Sequence, residues 1–210
     1  MTPFTQHCGV ALPLLRDNID TDAIIPSREM RTVSRSGLAA GLFAPWRYLD
    51  PDARTPNPEF ALNQPEYSGA SILLAGDNFG CGSSREHAVW ALMESGFRVV
   101  IAPSFATIFR NNALRNGLLT VALEQEGLDE LVAWVSADPL AHTINLDLEA
   151  CTIESDPERK KKVFSVDPTA REMLLEGLDE IGLTEQSIDL VARFEEQDQA
   201  LRPWVYLSGD

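Results

Sequence analysis

Residues 70–123 alternate between short apolar runs and longer amphipathic segments, and no other feature restricts the fold of this chain as strongly. The runs ASILLAG, FRVVIAP and LLTVAL are short and mostly apolar, which is typical of strands that are buried on both faces. The segments between them, SREHAVWALMES and SFATIFRNNALRNG, have the period of helices and lead into glycines. Three strands joined by two helices predict right-handed crossovers and a largely parallel sheet.

Beyond residue 123 the pattern changes. GLDELVAWVSADP has the period of a short helix, whereas HTINLDLEACTIES and KKVFSVD alternate like an exposed β-hairpin with SDPERKKK as its turn. The predicted fold class is therefore α/β, with a largely parallel sheet as its core and a C-terminal β-hairpin and helices added to it.

A C-terminal helical extension is predicted over about residues 167–210. Asp167 followed by Pro168 is a typical helix start, and Gly177 is a typical stop. A second helix, over about 184–198, has an apolar face that we expect in the core or in an interface. That face consists of Ile188, Val191 and Phe194.

Residues 27–69 lack a sustained period and contain five of the 13 prolines. A long irregular connection inside a compact domain is more often a binding loop than a spacer. Its mixture of arginine and apolar side chains suits a ligand with a carboxylate and an apolar branch, but it also suits a surface that faces a partner, and disorder is the third alternative. The mixture comprises Arg28, Met30, Arg31, Arg35, Leu38, Leu42, Phe43, Trp46 and Arg47.

Charge is distributed unevenly along the chain. The net charge is −15, of which −1 falls on residues 1–123 and −14 on residues 124–210. Nucleic acid is not an expected partner, because phosphate binding requires a basic surface. All ten basic residues of the first part are arginine, whose planar fork suits carboxylates, so a small di-acid is a reasonable ligand. A compositional preference for arginine explains the bias equally well.

Length and composition predict one large domain, or one and a half, and we expect a single domain over residues 1–210. No apolar run approaches the roughly 20 residues that span a bilayer, and the N-terminal sequence lacks the pattern of a secretory signal, so we expect a cytoplasmic protein without membrane contact. Cys8, Cys81 and Cys151 are far apart in the sequence. Neither a disulfide framework nor a metal or iron–sulfur site is expected within this chain.

The segment DNFGCGSSREHAVW, residues 77–90, follows a predicted strand and begins a predicted helix, which is where ligands bind in open parallel sheets. Ser83 and Glu86 have the spacing of a capping box, so we expect the helix to start at Ser84 with free backbone N–H groups. Such groups favour negative charge, and the glycines of this loop let the backbone approach a bound group. The segment therefore predicts an anion site.

Other interpretations of this segment fit less well. A serine-hydrolase elbow requires G-x-S-x-G, a Walker loop G-K-[ST] and a dinucleotide loop G-x-G-x-x-G, and the segment contains none of them. Cys81 and His87 lack a third metal ligand nearby in the sequence. A capped helix without chemistry leaves Arg85 unexplained, because a cation in the first turn opposes the helix dipole.

Four segments resemble the family of bacterial 3-isopropylmalate dehydratase small subunits, which form the swivelling domain of the aconitase superfamily. They are NIDTDAIIP at 18–26, GASILLAGDNFGCGSSREHAVWAL at 69–92, GFRVVIAPSFATIF at 96–109 and GLDEIGLT at 177–184. The first two in combination are highly specific. The resemblance implies a β/β/α swivel domain that closes over a 4Fe-4S cluster held by a separate large subunit, so that this chain would bind no cofactor itself.

The resemblance also implies roles for individual residues. Ser83 would be the catalytic base, and Arg85 would bind a carboxylate of the substrate. Residues that would contact the substrate are Ser84, Gly82, Arg28, Met30, Arg31, Arg35 and Leu42. Residues that would shape the site are Asp20, Thr21, Asp22, Gly80 and Cys81.

The activity implied by the resemblance is that of a hydro-lyase that interconverts 2-isopropylmalate and 3-isopropylmalate in leucine biosynthesis. The substrate would be a small branched hydroxy di-acid, and turnover would require the large subunit, without which the chain could self-associate. Two alternatives remain. One is the small subunit of a related dehydratase of the methylmalate/citraconate or homoaconitate type, and the other is a carboxylate-binding module without catalysis.

Overall fold

The computed structural model describes residues 1–30, 34–156, 158 and 160–206. Its centre is a parallel sheet of four strands, numbered in chain order and arranged side by side as follows: β2 (Ala11–Leu14), β5 (Ile72–Ala75), β6 (Val99–Ala102) and β7 (Leu119–Ala122). The last three lie within the apolar runs predicted as strands, so the predicted parallel sheet is confirmed. The sequence pattern does not predict β2, which pairs with β5 in parallel.

Successive residues of the central strands point to two different apolar cores, because side chains alternate across a strand. Leu73 and Ala75 of β5 belong to the first core, and Ile72 and Leu74 belong to the second. All four are completely buried. Burial on both faces explains why these strands read as continuous apolar runs in the sequence.

Three helices connect or follow the parallel strands. They are α3 (Glu86–Glu94), α4 (Thr107–Asn116) and α5 (Gln125–Ala137). Helix α3 packs its buried residues into the first core, whereas α5 packs into the second core on the opposite face of the sheet. Gly117 ends α4 in the left-handed conformation, as its position in the sequence predicts.

A second sheet covers the second core and is antiparallel. Its strands, in spatial order, are β1 (Gln6–Gly9), β8 (Ile144–Asp147), β9 (Thr152–Glu154) and β10 (Lys162–Val163). The prediction of one exposed hairpin is wrong in two respects. HTINLDLEACTIES contains two strands rather than one, and Ile144, Leu146 and Ile153 are buried because this sheet packs against the parallel one.

The C-terminal helices are α6 (Pro168–Glu176), α7 (Glu180–Glu185) and α8 (Ile188–Leu201), followed by a 3₁₀ turn at Pro203–Val205. The predicted start and stop of α6 are confirmed, since the Asp167 side chain accepts from the N–H of Ala170 and Gly177 is left-handed. Of the two positions predicted for the apolar face of α8, the core is wrong, because Ile188 and Phe194 are both 61% exposed, and the interface stays a prediction. No helix among the described residues is long and apolar enough to cross a bilayer.

The connection over residues 27–69 has more structure than its irregular sequence indicates. Around it lie α1 (Thr21–Ile24), α2 (Ala44–Arg47), a small hairpin of β3 (Tyr48–Asp50) and β4 (Thr55–Pro56), and 3₁₀ turns at Ser27–Glu29, Ala39–Gly41, Ala61–Asn63 and Pro65–Tyr67. Leu38, Phe43 and Phe60 of this connection are buried in the first core. It is therefore anchored to the parallel sheet at several points.

Candidate functional site

The glycine-rich loop between β5 and α3 lies directly beside α1, although about 60 residues separate them in the sequence. Asp20 and Cys81 form an isolated parallel bridge. The N–H of Gly80 donates to the carbonyl of Ile19 at 2.8 Å, and the N–H of Thr21 donates to the carbonyl of Cys81 at 2.9 Å. The two most specific sequence motifs of the chain are thus joined by backbone hydrogen bonds.

Side chains of α1 complete this junction. The Thr21 hydroxyl donates to the backbone carbonyl of Ser83 at 3.2 Å. The Asp20 carboxylate caps α1 by accepting from the N–H of Ala23 at 2.7 Å. The structure therefore places Asp20 and Thr21, which were expected to shape the site, where they hold the backbone of the loop.

Gly80 and Gly82 both adopt left-handed backbone conformations, with φ of +78° and +92°. A Cβ on Gly80 would lie 2.2 Å from the Phe109 ring, so no other residue fits without displacing α4. A Cβ on Gly82 would meet Asp20 at 3.3 Å. The glycines are required by the close approach of α4 and α1 to this loop.

We expect Gly80→Ala to destabilise the folded chain by about 2–4 kcal/mol, because the new methyl group overlaps a buried ring and the backbone is strained. Gly69→Ala is the matched control, since Gly69 has φ of +80° and nothing within 4 Å of its Cβ position. It should lose only the strain, about 1 kcal/mol. Urea unfolding of the two variants measures the difference, and equal losses would show that the contact with Phe109 is unimportant.

The start of α3 differs from the prediction. Arg85 is the N-cap residue, with φ −112° and ψ 105°, and no side chain caps the helix. The predicted capping box is wrong because the Glu86 carboxylate accepts instead from the amide of Asn116 at 2.7 Å. The helix consequently begins two residues later than expected, and Ser83 and Ser84 remain in the loop.

Ser83 and Ser84 are both exposed. Within the described part of the chain, the backbone N–H groups of Ser83, Ser84 and Glu86 donate to no protein acceptor. Unpaired N–H groups at a helix start attract negative charge. This part of the loop can therefore stabilise an anion that forms or binds at the surface.

Arg85 is held by a carboxylate from the neighbouring motif. Its guanidinium forms an ion pair with Asp22 of α1, and the Arg85 side chain is 24% exposed. A guanidinium has five N–H donors in a planar fork, so one carboxylate leaves donors for a second. The family resemblance implies that Asp22 helps to shape the site, but the sequence does not reveal that it binds Arg85.

The structure brings only some of the other predicted substrate contacts to the surface. Arg28 is exposed beside Glu29, and Met30 is partly buried against the first core. Arg35 is exposed with its guanidinium 5.0 Å from the centre of the Trp90 ring. Leu42 is completely buried in the first core, so the structure does not bring it to the site. Arg31 lies outside the described residues.

A cleft of about 550 Å³ opens beside the start of α3. Glu86, Arg98, Arg115 and Asn116 are among its lining residues, but Ser83 and Ser84 are not. The two serines are exposed but do not open onto this cleft.

Metal ligands are not grouped in the part of the chain that the structure describes: no three His, Cys, Asp or Glu side chains are placed to hold an ion. The three cysteines are free, and the thiol of Cys81 donates to the carbonyl of Asn18 at 3.4 Å. These residues do not fit an iron–sulfur cluster, which requires several thiolates in one place.

Several residues that organise this region are not identified from the sequence. Glu94 accepts hydrogen bonds from three successive backbone N–H groups of the long connection, and Asn116 links Glu86 to Trp90. One sequence signal points to Glu94, because an acid in the last position of a helix opposes the helix dipole. The partner of such a residue cannot be read from local sequence.

Comparison with known proteins extends over the whole chain. The sequence profile of the family described as the aconitase C-terminal domain matches residues 1–126. The 3-isopropylmalate dehydratase small subunit of Cupriavidus necator is 54% identical over 209 residues, which cover 100% of both chains. A crystal structure of 3-isopropylmalate dehydratase from Methanocaldococcus jannaschii is similar with a TM-score of 0.65 and 29% identity, over 90% of this chain and 99% of that chain.

Proposed function

The chain belongs to the family of the aconitase C-terminal domain, and from this membership we propose that it is the small subunit of a 3-isopropylmalate dehydratase. The reaction interconverts 2-isopropylmalate and 3-isopropylmalate in leucine biosynthesis by loss and re-addition of water. The observation that carries the proposal is the 54% identity along the entire length to a small subunit of this enzyme. An exposed serine beside unpaired N–H groups and an arginine supports it chemically.

Ser83 is the base in this proposal and removes a proton from the carbon next to a carboxylate. A serine is ordinarily a poor base, so its alkoxide must be stabilised. The unpaired N–H groups at the start of α3 and the guanidinium of Arg85 have the correct sign of charge for this purpose. Ser84 and Gly82, which flank Ser83, lie within reach of the same bound molecule and contribute polar contacts.

Arg85 binds a carboxylate of the substrate. Negative charge moves onto that carboxylate as the proton leaves, and a guanidinium that is already in place stabilises the transition state more than the ground state. The ion pair with Asp22 limits the rotamers of Arg85 before substrate arrives. Arg28, Met30, Arg31 and Arg35 are the weaker candidates and would contact the branch or the second carboxylate.

The large subunit would supply the remainder of the active site, including a 4Fe-4S cluster whose chemistry would be that of a Lewis acid toward the substrate. The residues that the structure describes do not fit such a cluster, and Ser83 and Ser84 are exposed, which suits a site completed by another polypeptide. Residues 1–210 act as one swivel domain whose closure excludes bulk water from the reaction. The pair works in the cytoplasm.

We expect the isolated chain to lack hydratase activity and visible iron–sulfur absorbance, and the reconstituted pair to have both. The test is expression with and without the large subunit, followed by assays with isopropylmalate, methylmalate and homoaconitate. Preferential turnover of isopropylmalate supports the proposal. Preferential turnover of another malate would assign a related dehydratase, and failure to bind any large subunit would favour a carboxylate-binding module.

A further inference from the structure

One row of side chains on α3 connects the start of the helix to the long connection. Glu86, Trp90 and Glu94 are spaced by four residues and therefore lie above one another on the same face. Glu86 follows Arg85 directly, and Glu94 is the last residue of the helix. Each of the three side chains contacts residues outside α3, and these contacts hold other segments of the chain against this face of the helix.

Glu94 binds three successive backbone N–H groups of the long connection. One carboxylate oxygen accepts from the N–H of Gly37 at 2.6 Å, and the other accepts from Leu38 at 2.5 Å and Ala39 at 2.8 Å. Gly37 is left-handed with φ of +87° and Leu38 is right-handed, which turns successive N–H groups toward one point. The carboxylate fills this nest.

These hydrogen bonds lower the pKa of Glu94, since each N–H stabilises the ionised carboxylate. The bond from Gly37 makes the largest contribution. Glu94 therefore stays ionised at neutral pH in a position where the helix dipole disfavours a negative charge. A carboxylate that opposes the helix dipole but accepts three backbone hydrogen bonds indicates that this residue has a specific role in holding the backbone.

Arg54 holds the next residues of the connection. Arg54 donates to the carbonyl of Ala40 at 2.9 Å and to the carboxylate of Glu29 at 2.5 Å. A Cβ on Gly41 would lie 2.7 Å from the Cβ of Glu29, so the turn at Ser27–Glu29 packs directly on this region. We call residues 34–41 the Arg35 segment. Its second half is fixed on two sides, by Glu94 and by the Arg54–Glu29 pair.

Contacts of the Arg35 side chain extend from this segment toward the start of α3. Its guanidinium lies 5.0 Å from the centre of the Trp90 ring. The Trp90 indole donates to Asn116 at 3.0 Å, and Asn116 donates in turn to Glu86 at 2.7 Å. A continuous set of contacts thus links Arg35 to the residue that follows Arg85.

We propose that Glu94 is a positioning residue for substrate recognition, which fixes the Arg35 segment so that Arg35 is presented along the same helix that carries the Ser83–Arg85 loop. The inference rests on the proposed function, because Arg35 is there a candidate substrate contact. Glu94 acts through the backbone of Gly37, Leu38 and Ala39 and does not itself touch the substrate. Its loss affects binding and the preference for the branch more than the chemical step.

The test uses Glu94→Ala in the reconstituted two-subunit enzyme. We expect KM for isopropylmalate to rise at least about tenfold with kcat changed by less than about threefold, and the preference for isopropylmalate over methylmalate to fall. Glu94→Gln keeps the length and one acceptor and should lie between wild type and Glu94→Ala. Glu176→Ala is the matched control, because Glu176 is also the exposed last residue of a nine-residue helix. It should behave as wild type.

Amide hydrogen exchange provides a readout that does not depend on turnover. Exchange at Gly37, Leu38 and Ala39 should become about tenfold faster or more in Glu94→Ala but not in Glu176→Ala. Unchanged exchange, or unchanged KM and preference, would overturn the inference and leave the proposed function intact. A wild-type enzyme inactive on every branched malate would instead refute the proposed function and, with it, the recognition role of Glu94.

Discussion

Replacing Ser83 by alanine should lower kcat of the reconstituted enzyme by a factor of roughly 10³, the usual contribution of a general base, without weakening assembly with the large subunit. The hydroxyl is exposed in a loop whose backbone carbonyl is held by Thr21, so removing it should not disturb the fold. Water would have to accept the proton instead. Steady-state kinetics with both isopropylmalate isomers measures the loss, and gel filtration measures assembly.

Ser136→Ala is the matched control, because Ser136 is an exposed serine on α5, far from the loop in sequence. It should keep full activity. If Ser83→Ala turned over as fast as the control, Ser83 would not be the base, and the carbon-bound proton would have to leave to a group of the large subunit. A parallel loss of assembly would show that Ser83 contributes to the interface rather than to the chemistry.

Arg85→Lys should lower kcat/KM by a factor of about 10² to 10³, although the positive charge is kept. A lysine offers a single point of attachment, whereas the planar guanidinium binds Asp22 and a substrate carboxylate through separate N–H groups. Removing one hydrogen-bond donor that acts on charge in the transition state costs about 2.7–4 kcal/mol, which corresponds to this range. Initial rates over a range of substrate concentrations separate the effects on KM and kcat.

Arg193→Lys provides the comparison for this variant, since Arg193 is an exposed arginine of α8. Its kinetics should match wild type within error. An Arg85→Lys enzyme with unchanged kcat/KM would mean that the guanidinium serves only to bind Asp22, and that the substrate carboxylate is recognised elsewhere. Thermal unfolding of both variants checks that any loss is not a loss of folded protein.

The parallel sheet could be predicted because its signal is local and repeated. Strands such as β5 are buried on both faces, so nearly every residue is apolar, and a left-handed glycine follows each of the helices between them, Gly96 after α3 and Gly117 after α4. The start of α6 was equally predictable, since Asp167 and Pro168 act on their own helix. Signals of this kind depend only on residues within one or two turns.

The errors arose where contacts with residues distant in the sequence, or the lack of such contacts, decide the local structure. Ser83 and Glu86 have the spacing of a capping box, but Asn116 binds Glu86 and the helix starts later. Ile144 and Leu146 alternate as in an exposed hairpin, yet the face they form packs against the parallel sheet. The apolar face of α8 has helical spacing whether or not anything covers it.

Sequence alone determined the parallel sheet, the glycine-rich corner at the end of β5 and the residue types at that corner, because periodicity, turn chemistry and motif spacing are properties of neighbouring residues. Only the tertiary structure decided that Asp22 holds Arg85, that Thr21 holds the carbonyl of Ser83 and that Glu94 binds the backbone of residues 37–39. These contacts join residues that are more than 50 positions apart, and no local pattern records them because hydrogen-bonding partners are chosen by the packing of whole elements.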